Sequence, residues 1–369
     1  MVKTRLFLLG SLPLFLSFLA GCGAMTHGAA SHPEVLEITA GIPGKYLSLA
    51  ASDSTLFAVF PDKESTTLKT FQLPLGADLP SGAPVAAVLD KIDVAPPLAP
   101  AFGEHVLALT GGRIEVLYTA RHNEDHSVLK LAYRDVDAAQ WKLDIVDPPG
   151  DPVAILPRDL SSLSLFWATD ALLSRTFPSG DAASMQHTPF QLQGRPSMFS
   201  PTGFTAFDAS SQRLFEVTLG GGARSIPGAS AVQSSILDPQ GRLAVLTWDA
   251  HARRLLLLEE RPGTTEFRRT TVTLCDGTVS VALLPAHRRA GFLYLFDEIR
   301  RSGAGSTAHQ LSMLSPSPVL GGLGSRYEKS VVLSGPLPIE GFAATETADA
   351  VYVLALQGTL KLIRIDLPK

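Results

Sequence analysis

The sequence predicts an all-β chain folded as a β-propeller, on three observations. From about residue 34 onward, period-2 runs of Val, Leu, Phe, Tyr and Thr follow one another, split by Gly, Pro, Asp and Ser, with no long amphipathic helix among them. The chain also repeats itself. Gly112-Arg113-Ile114-Glu115-Val116-Leu117-Tyr118 aligns with Gly241-Arg242-Leu243-Ala244-Val245-Leu246-Thr247 at an offset of 129 residues, and Val153-Ala154-Ile155-Leu156-Pro157 aligns with Val281-Ala282-Leu283-Leu284-Pro285 at an offset of 128. Between these landmarks, strand and turn signals succeed one another in units of about 40–50 residues holding four short strands, the spacing of a propeller blade.

Seven such units divide the chain, at 45–92, 101–147, 152–193, 195–227, 232–275, 279–334 and 338–367. The fourth is short, and Gly220-Gly221-Gly222 marks its outer turn. The last unit offers three strands, 340–346, 349–356 and 359–366, with Gln357-Gly358 as a tight hairpin turn. It lacks a fourth. The stretch 35–39 is the first apolar segment of the propeller region, and it is expected to supply the missing outer strand, closing the ring and removing exposed sheet edges.

Composition narrows the function. The 369 residues carry 31 Lys and Arg against 35 Asp and Glu, a net charge of −4, and no basic stripe that could release counterions from phosphate. Nucleic acid is therefore excluded as a partner. At 45% hydrophobic residues the chain is also too apolar to be disordered. Its two cysteines are Cys22 and Cys275. Cys275 ends the strand-like alternation Thr271-Val272-Thr273-Leu274 and reads as a packed side chain rather than a reactive thiol.

The first 21 residues run from Lys3 and Arg5 through an apolar segment, 6–20, to Leu19-Ala20-Gly21-Cys22. A charged start, an apolar middle and small residues before a cut are what a secretory signal peptide needs. The apolar run of about 15 residues is shorter than the roughly 20 that span a bilayer, and Pro13 interrupts it. The segment closing on Cys22 resembles the signal of bacterial lipoproteins. The resemblance implies cleavage before Cys22 and acylation of that cysteine, including by palmitate, so that the protein is held on the cell envelope. Two or three acyl chains make such anchoring stable, since each buried methylene contributes about 0.8 kcal/mol. Gly23, where lipoproteins kept at the inner membrane usually have Asp, implies the outer membrane in a host with two membranes. The expected organisation is a signal peptide 1–21, an acylated cysteine and tether 22–33, and a propeller domain 34–369. Losing Lys3 and Arg5 leaves 29 basic against 35 acidic residues, a mature net charge of −6.

The second unit carries another likeness. Gly112 to Tyr118, the stretch 129–135, Trp141 and Ile145-Val146-Asp147 resemble the repeats of bacterial sialidase-like, Asp-box propellers, in which an aspartate-rich turn precedes a tryptophan that packs the outer strand. Asp135, Asp137 and Trp141 stand in that order. Ala139 occupies the place of the turn glycine, and no full Ser-x-Asp-x-Gly-x-Thr-Trp box exists. The resemblance thus implies the fold and does not carry the enzyme. Sialidases grip a substrate carboxylate with three arginines, whose planar forks bind it bidentately. Arg113, Arg158, Arg195 and Arg242 are of the right type, although an arginine beside a blade-entry glycine equally caps a turn.

Loops between second and third strands can present residues at a propeller face. The second unit places Ala120-Arg121-His122-Asn123-Glu124-Asp125-His126 in such a loop, and the fifth places Asp249-Ala250-His251-Ala252-Arg253 in the equivalent one. His122, Asp125 and His126 are ligand types for zinc, but their spacing puts both histidines on one face only in a helix. Strands bracket the segment, so a solvated polar loop without metal is expected. Asp297-Glu298-Ile299-Arg300-Arg301 and the small residues after it read as another solvated hairpin. No Gly-x-Ser-x-Gly elbow, phosphate loop, His-Glu-x-x-His or dinucleotide fingerprint appears, and no cofactor is implied. The functional expectation is a lipid-anchored, non-catalytic binding module for an envelope or extracellular protein or glycan, with Arg121, His122, Asp125, His126, Asp249, His251 and Arg253 as candidate binding residues. A glycan hydrolase or lyase and an envelope-assembly scaffold are the alternatives.

Overall fold

The computed structural model describes residues 33–38, 46–62, 66–76, 79, 84–92, 101–123, 126–159, 162–169, 171–178, 184–186, 192–208, 210–218, 222–226, 233–238, 240–249, 251–274, 281–285, 292–301, 307–317 and 326–367. All regular elements among them are strands. Their antiparallel ladders form seven four-stranded sheets. Six of these sheets pair four consecutive strands in chain order, and they span 48–91, 102–146, 151–186, 192–226, 233–274 and 281–335. The seventh combines the C-terminal strands Gly341–Glu346, Ala350–Gln357 and Thr359–Asp366 with the N-terminal strand Glu34–Ile38. First strands of successive sheets touch one another, and the first strand of blade seven touches that of blade one. The sheets therefore close into a ring, a β-propeller.

Ring closure uses the N-terminal strand as expected. Glu34 pairs with Arg364, Leu36 with Leu362 and Ile38 with Leu360. The strand covers Glu34–Ile38 rather than 35–39. Leu36 and Ile38 reach the core shared by blades seven and one.

Face-to-face stacking of blades explains why second strands read as continuous apolar runs. Every residue of Thr55–Pro61 and of Ala350–Gln357 is buried, because each of these strands has a neighbouring blade on both sides. Alternate side chains go to opposite neighbours. Leu56, Ala58 and Phe60 pack with Tyr352 and Leu354 of blade seven, whereas Phe57 and Val59 pack with Ile114, Val116 and Tyr118 of blade two. Outer strands have one face in water, as in Lys142–Val146, where Leu143 and Ile145 are exposed and Val146 is buried.

The internal repeat marks equivalent places. Gly112 and Gly241 each end the turn before a second strand with φ of 81° and 76°, a left-handed conformation that suits glycine. The repeated Val153–Pro157 and Val281–Pro285 stretches lie in the first strands of the blades that follow, Asp151–Pro157 and Val281–Pro285. The turn at Gly358, φ 73°, joins Gln357 to Thr359 across a tight hairpin. In blade two, the Arg134 guanidinium organises the outer turn. It donates to the carbonyls of Val136 at 3.0 Å and Ala138 at 2.5 Å and lies 4.9 Å from the Trp141 ring centre.

Strand alternation gives the ring two faces. Turns joining first to second and third to fourth strands lie on one face, called the base below. Loops joining second to third strands, and the connections between blades, lie on the other, the top.

Candidate functional site at the top face

Both candidate loops lie on the top face, in blades two and five, three blades apart around the ring. In blade two, Arg121 ends the strand Arg113–Arg121, and its Nη2 donates to Asp151 Oδ1 at 3.1 Å. The backbone N–H groups of His122 and Asn123 both point at the His126 carbonyl, at 2.9 and 3.4 Å. This closes a tight hairpin and brings the two imidazoles to 5.5 Å between ring centres. A helix is therefore unnecessary for the two histidines to meet, which corrects the spacing argument above. Asp125 lies outside the described residues, as do Cys22, Cys275 and the tether. Among the described residues no group of three or more His, Cys, Asp or Glu side chains is arranged to hold a metal ion.

In blade five, Asp249 is a loop clamp. Its Oδ1 accepts the Ala252 N–H at 3.1 Å, while Oδ2 accepts from Arg254 at 3.2 Å and Arg269 at 3.0 Å. The Ala252 N–H foremost, with Arg254 and Arg269, holds its carboxyl below the usual carboxylate range. His251 and Arg253 are exposed at the loop tip, Arg253 with φ of 48°. Asp249 is engaged within the loop, and His251 and Arg253 are its exposed candidate side chains. Asp208 does the same work at the top of blade four. Its oxygens accept from Ser210 and from the Ser211 N–H, and hydrogen bonds, the Ser211 hydroxyl foremost, lower its pKa to about 2.

A second group forms at the starts of the inner strands of blades two, three and four. Arg195 of blade four donates from Nη2 to the Val153 carbonyl at 3.0 Å, and its Nη1 lies 3.6 Å from Glu104 Oε2 of blade two. The guanidinium thus reaches across blade three to a carboxylate two blades away. With the Arg121–Asp151 pair beside it, the group presents two guanidiniums and two carboxylates, each side chain about a third exposed or more. Such partly exposed pairs contribute only about 0–1 kcal/mol each to folding. Glu104 and Asp151 carried no motif. Stacking of successive blades brings them to Arg195.

The four candidate arginines do not converge. Arg113, Arg158 and Arg242 sit at base turns of three different blades. There Arg113 donates to Glu115 at 2.9 Å, Arg158 to Thr176 at 2.7 Å and Arg242 to Asp238 at 2.6 Å. Only Arg195 lies toward the top. The arginine cluster of a sialidase is therefore not assembled from these positions.

No protein-family model and no curated protein matches this sequence. Solved propellers do match in three dimensions. One is YCF48 bound to D1 peptide, at 15% identity and a TM-score of 0.56, covering 91% of this chain and 97% of that one. Another is YCF48 from Cyanidioschyzon merolae, at 11% identity and a TM-score of 0.50, covering 90% and 98%. This likeness shows the propeller fold. Buried groups elsewhere tie the ring together: His105 faces the Val59 carbonyl of blade one at 2.9 Å from Nε2, and burial lowers its pKa.

Proposed function

We propose that this protein is a lipid-anchored, seven-bladed envelope propeller whose top face binds a protein or glycan without chemistry. The observation that carries the reading is the top face itself. The blade-two hairpin closed on the His126 carbonyl displays His122 and His126, and the blade-five loop clamped by Asp249 displays His251 and Arg253, on the same face as a mixed-charge group of Arg121, Asp151, Arg195 and Glu104. A rigid ring presenting fixed loops suits recognition. The structural relative bound to a D1 peptide adds a precedent for a protein ligand on this fold. Anchoring rests on Cys22 and the segment before it.

The test has two parts. Photo-crosslinking residues at His122 and Arg253 should capture a partner in the envelope of intact cells, while the same residue at the base position Gln240 should not. Purified mature protein should leave sialosides and other glycosides uncleaved. Turnover abolished by Glu104→Gln or Asp151→Asn, with an intact fold, would refute the binding-module reading in favour of a glycan-active enzyme.

A further inference from the structure

The polarity of the closing strand determines which face the tether leaves. Thr359–Asp366 is the third strand of blade seven, so it runs from the top to the base. Glu34 pairs antiparallel with Arg364, near its base end, and Ile38 pairs with Leu360, near the top. The chain therefore enters the ring at the base. Leu79, in the outer turn of blade one, confirms the location: its N–H donates to Glu34 Oε2 at 3.1 Å. The top loops lie at the opposite end of the same strands.

We propose that the base apposes the lipid surface and that the top face, with the loops at His122 and His251, is directed away from it. The proposal rests on the anchor reading at Cys22. Eleven peptide steps separate Cys22 from Pro33. Random-coil dimensions for that number of residues would give a root-mean-square span of about 18 Å. Strands of seven to nine residues make the ring about 25–30 Å deep. An average tether is thus shorter than the protein is thick, and a top-down orientation would require it to be drawn out along the full side of the ring.

Chemistry at the entry argues against insertion, so the tether alone sets the proximity. A cavity of about 760 Å³ opens there between blades one and seven, lined by Asp53, Asp349, Asp366, Tyr352 and Arg364. Arg364 is bound to Asp366 at 2.8 Å, so the lining is acidic on balance. Anionic headgroups repel such a surface within a Debye length of about 8–10 Å. The base stands near the membrane because it is tethered there, and a partner in the aqueous space meets the top face first.

The experiment couples Cys22 of the mature chain, with Cys275→Ser, to a maleimide lipid in phosphatidylcholine vesicles. A donor fluorophore is attached through azidophenylalanine encoded in place of Ser54 at the base or His251 at the top, with an acceptor dye in the bilayer. Energy transfer several-fold stronger from position 54 than from position 251 is expected. Equal transfer, or stronger transfer from position 251, would overturn the orientation. The chemical linkage makes this result independent of cellular processing. Labelled palmitate in cells, compared with Cys22→Ser, tests the anchor itself, and wild-type protein without label would overturn that reading and the proposal with it.

Discussion

Replacing Glu115 with Gln should stabilise the propeller at alkaline pH and leave it almost unchanged in mild acid. Glu115 lies in the second strand of blade two with its side chain fully buried. Oε1 accepts from Arg113 Nε at 2.9 Å, and Oε2 has no hydrogen-bond partner. Burial pushes its carboxyl up to about 7 despite the Arg113 guanidinium. Its folded pKa thus lies above its unfolded value, so the native state binds the extra proton and stability falls as pH rises from about 4.5 through 7. Raising the carboxyl from 4.5 to about 7 is worth roughly 3.4 kcal/mol when fully expressed, and between pH 5 and pH 8 about 2.5 kcal/mol of it is lost. The glutamine has no such proton to lose. Urea unfolding of both proteins at pH 5 and pH 8 measures the difference, and Glu115→Gln should gain about 2 kcal/mol more over wild type at pH 8 than at pH 5. A stability difference that does not change with pH would refute the burial argument.

Two further outcomes follow from the packing. Deleting residues 34–38 removes the closing strand, exposes the edge of Thr359–Asp366 and strips Leu36 and Ile38 from the core, so the melting temperature should fall clearly, whereas deleting 23–31 should leave it unchanged in a differential scanning calorimeter; equal effects would contradict closure by this strand. Asp208→Asn should destabilise at neutral pH, and because the native carboxyl is depressed to about 2, the wild type's advantage should be lost between about pH 4 and pH 2; an unchanged acid unfolding profile by circular dichroism would rule out its role as a loop clamp.

By itself the sequence determined the strand content, the blade spacing and the closing strand. Each is written in short-range pattern: period-2 alternation, a glycine before each repeated second strand, and an unpartnered stretch near residue 35 matching a unit with three strands. Sequence also located both candidate loops, because a polar run between two strands reads as a loop whatever surrounds it. Tertiary structure decided what those residues do. Asp249 reads like any exposed loop aspartate until Arg269, twenty residues away on the fourth strand of the same blade, completes its clamp. His122 and His126 meet because one carbonyl closes their turn, a backbone detail that side-chain spacing does not encode. Glu104, Asp151 and Arg195 are separated along the chain by more than forty residues each, and only the stacking of successive blades sets their inner strands side by side. The direction in which the tether leaves was also invisible, since it depends on which end of Thr359–Asp366 pairs with Glu34. Local patterns record whether a residue faces core or water, but contacts between distant strands depend on how the whole ring packs.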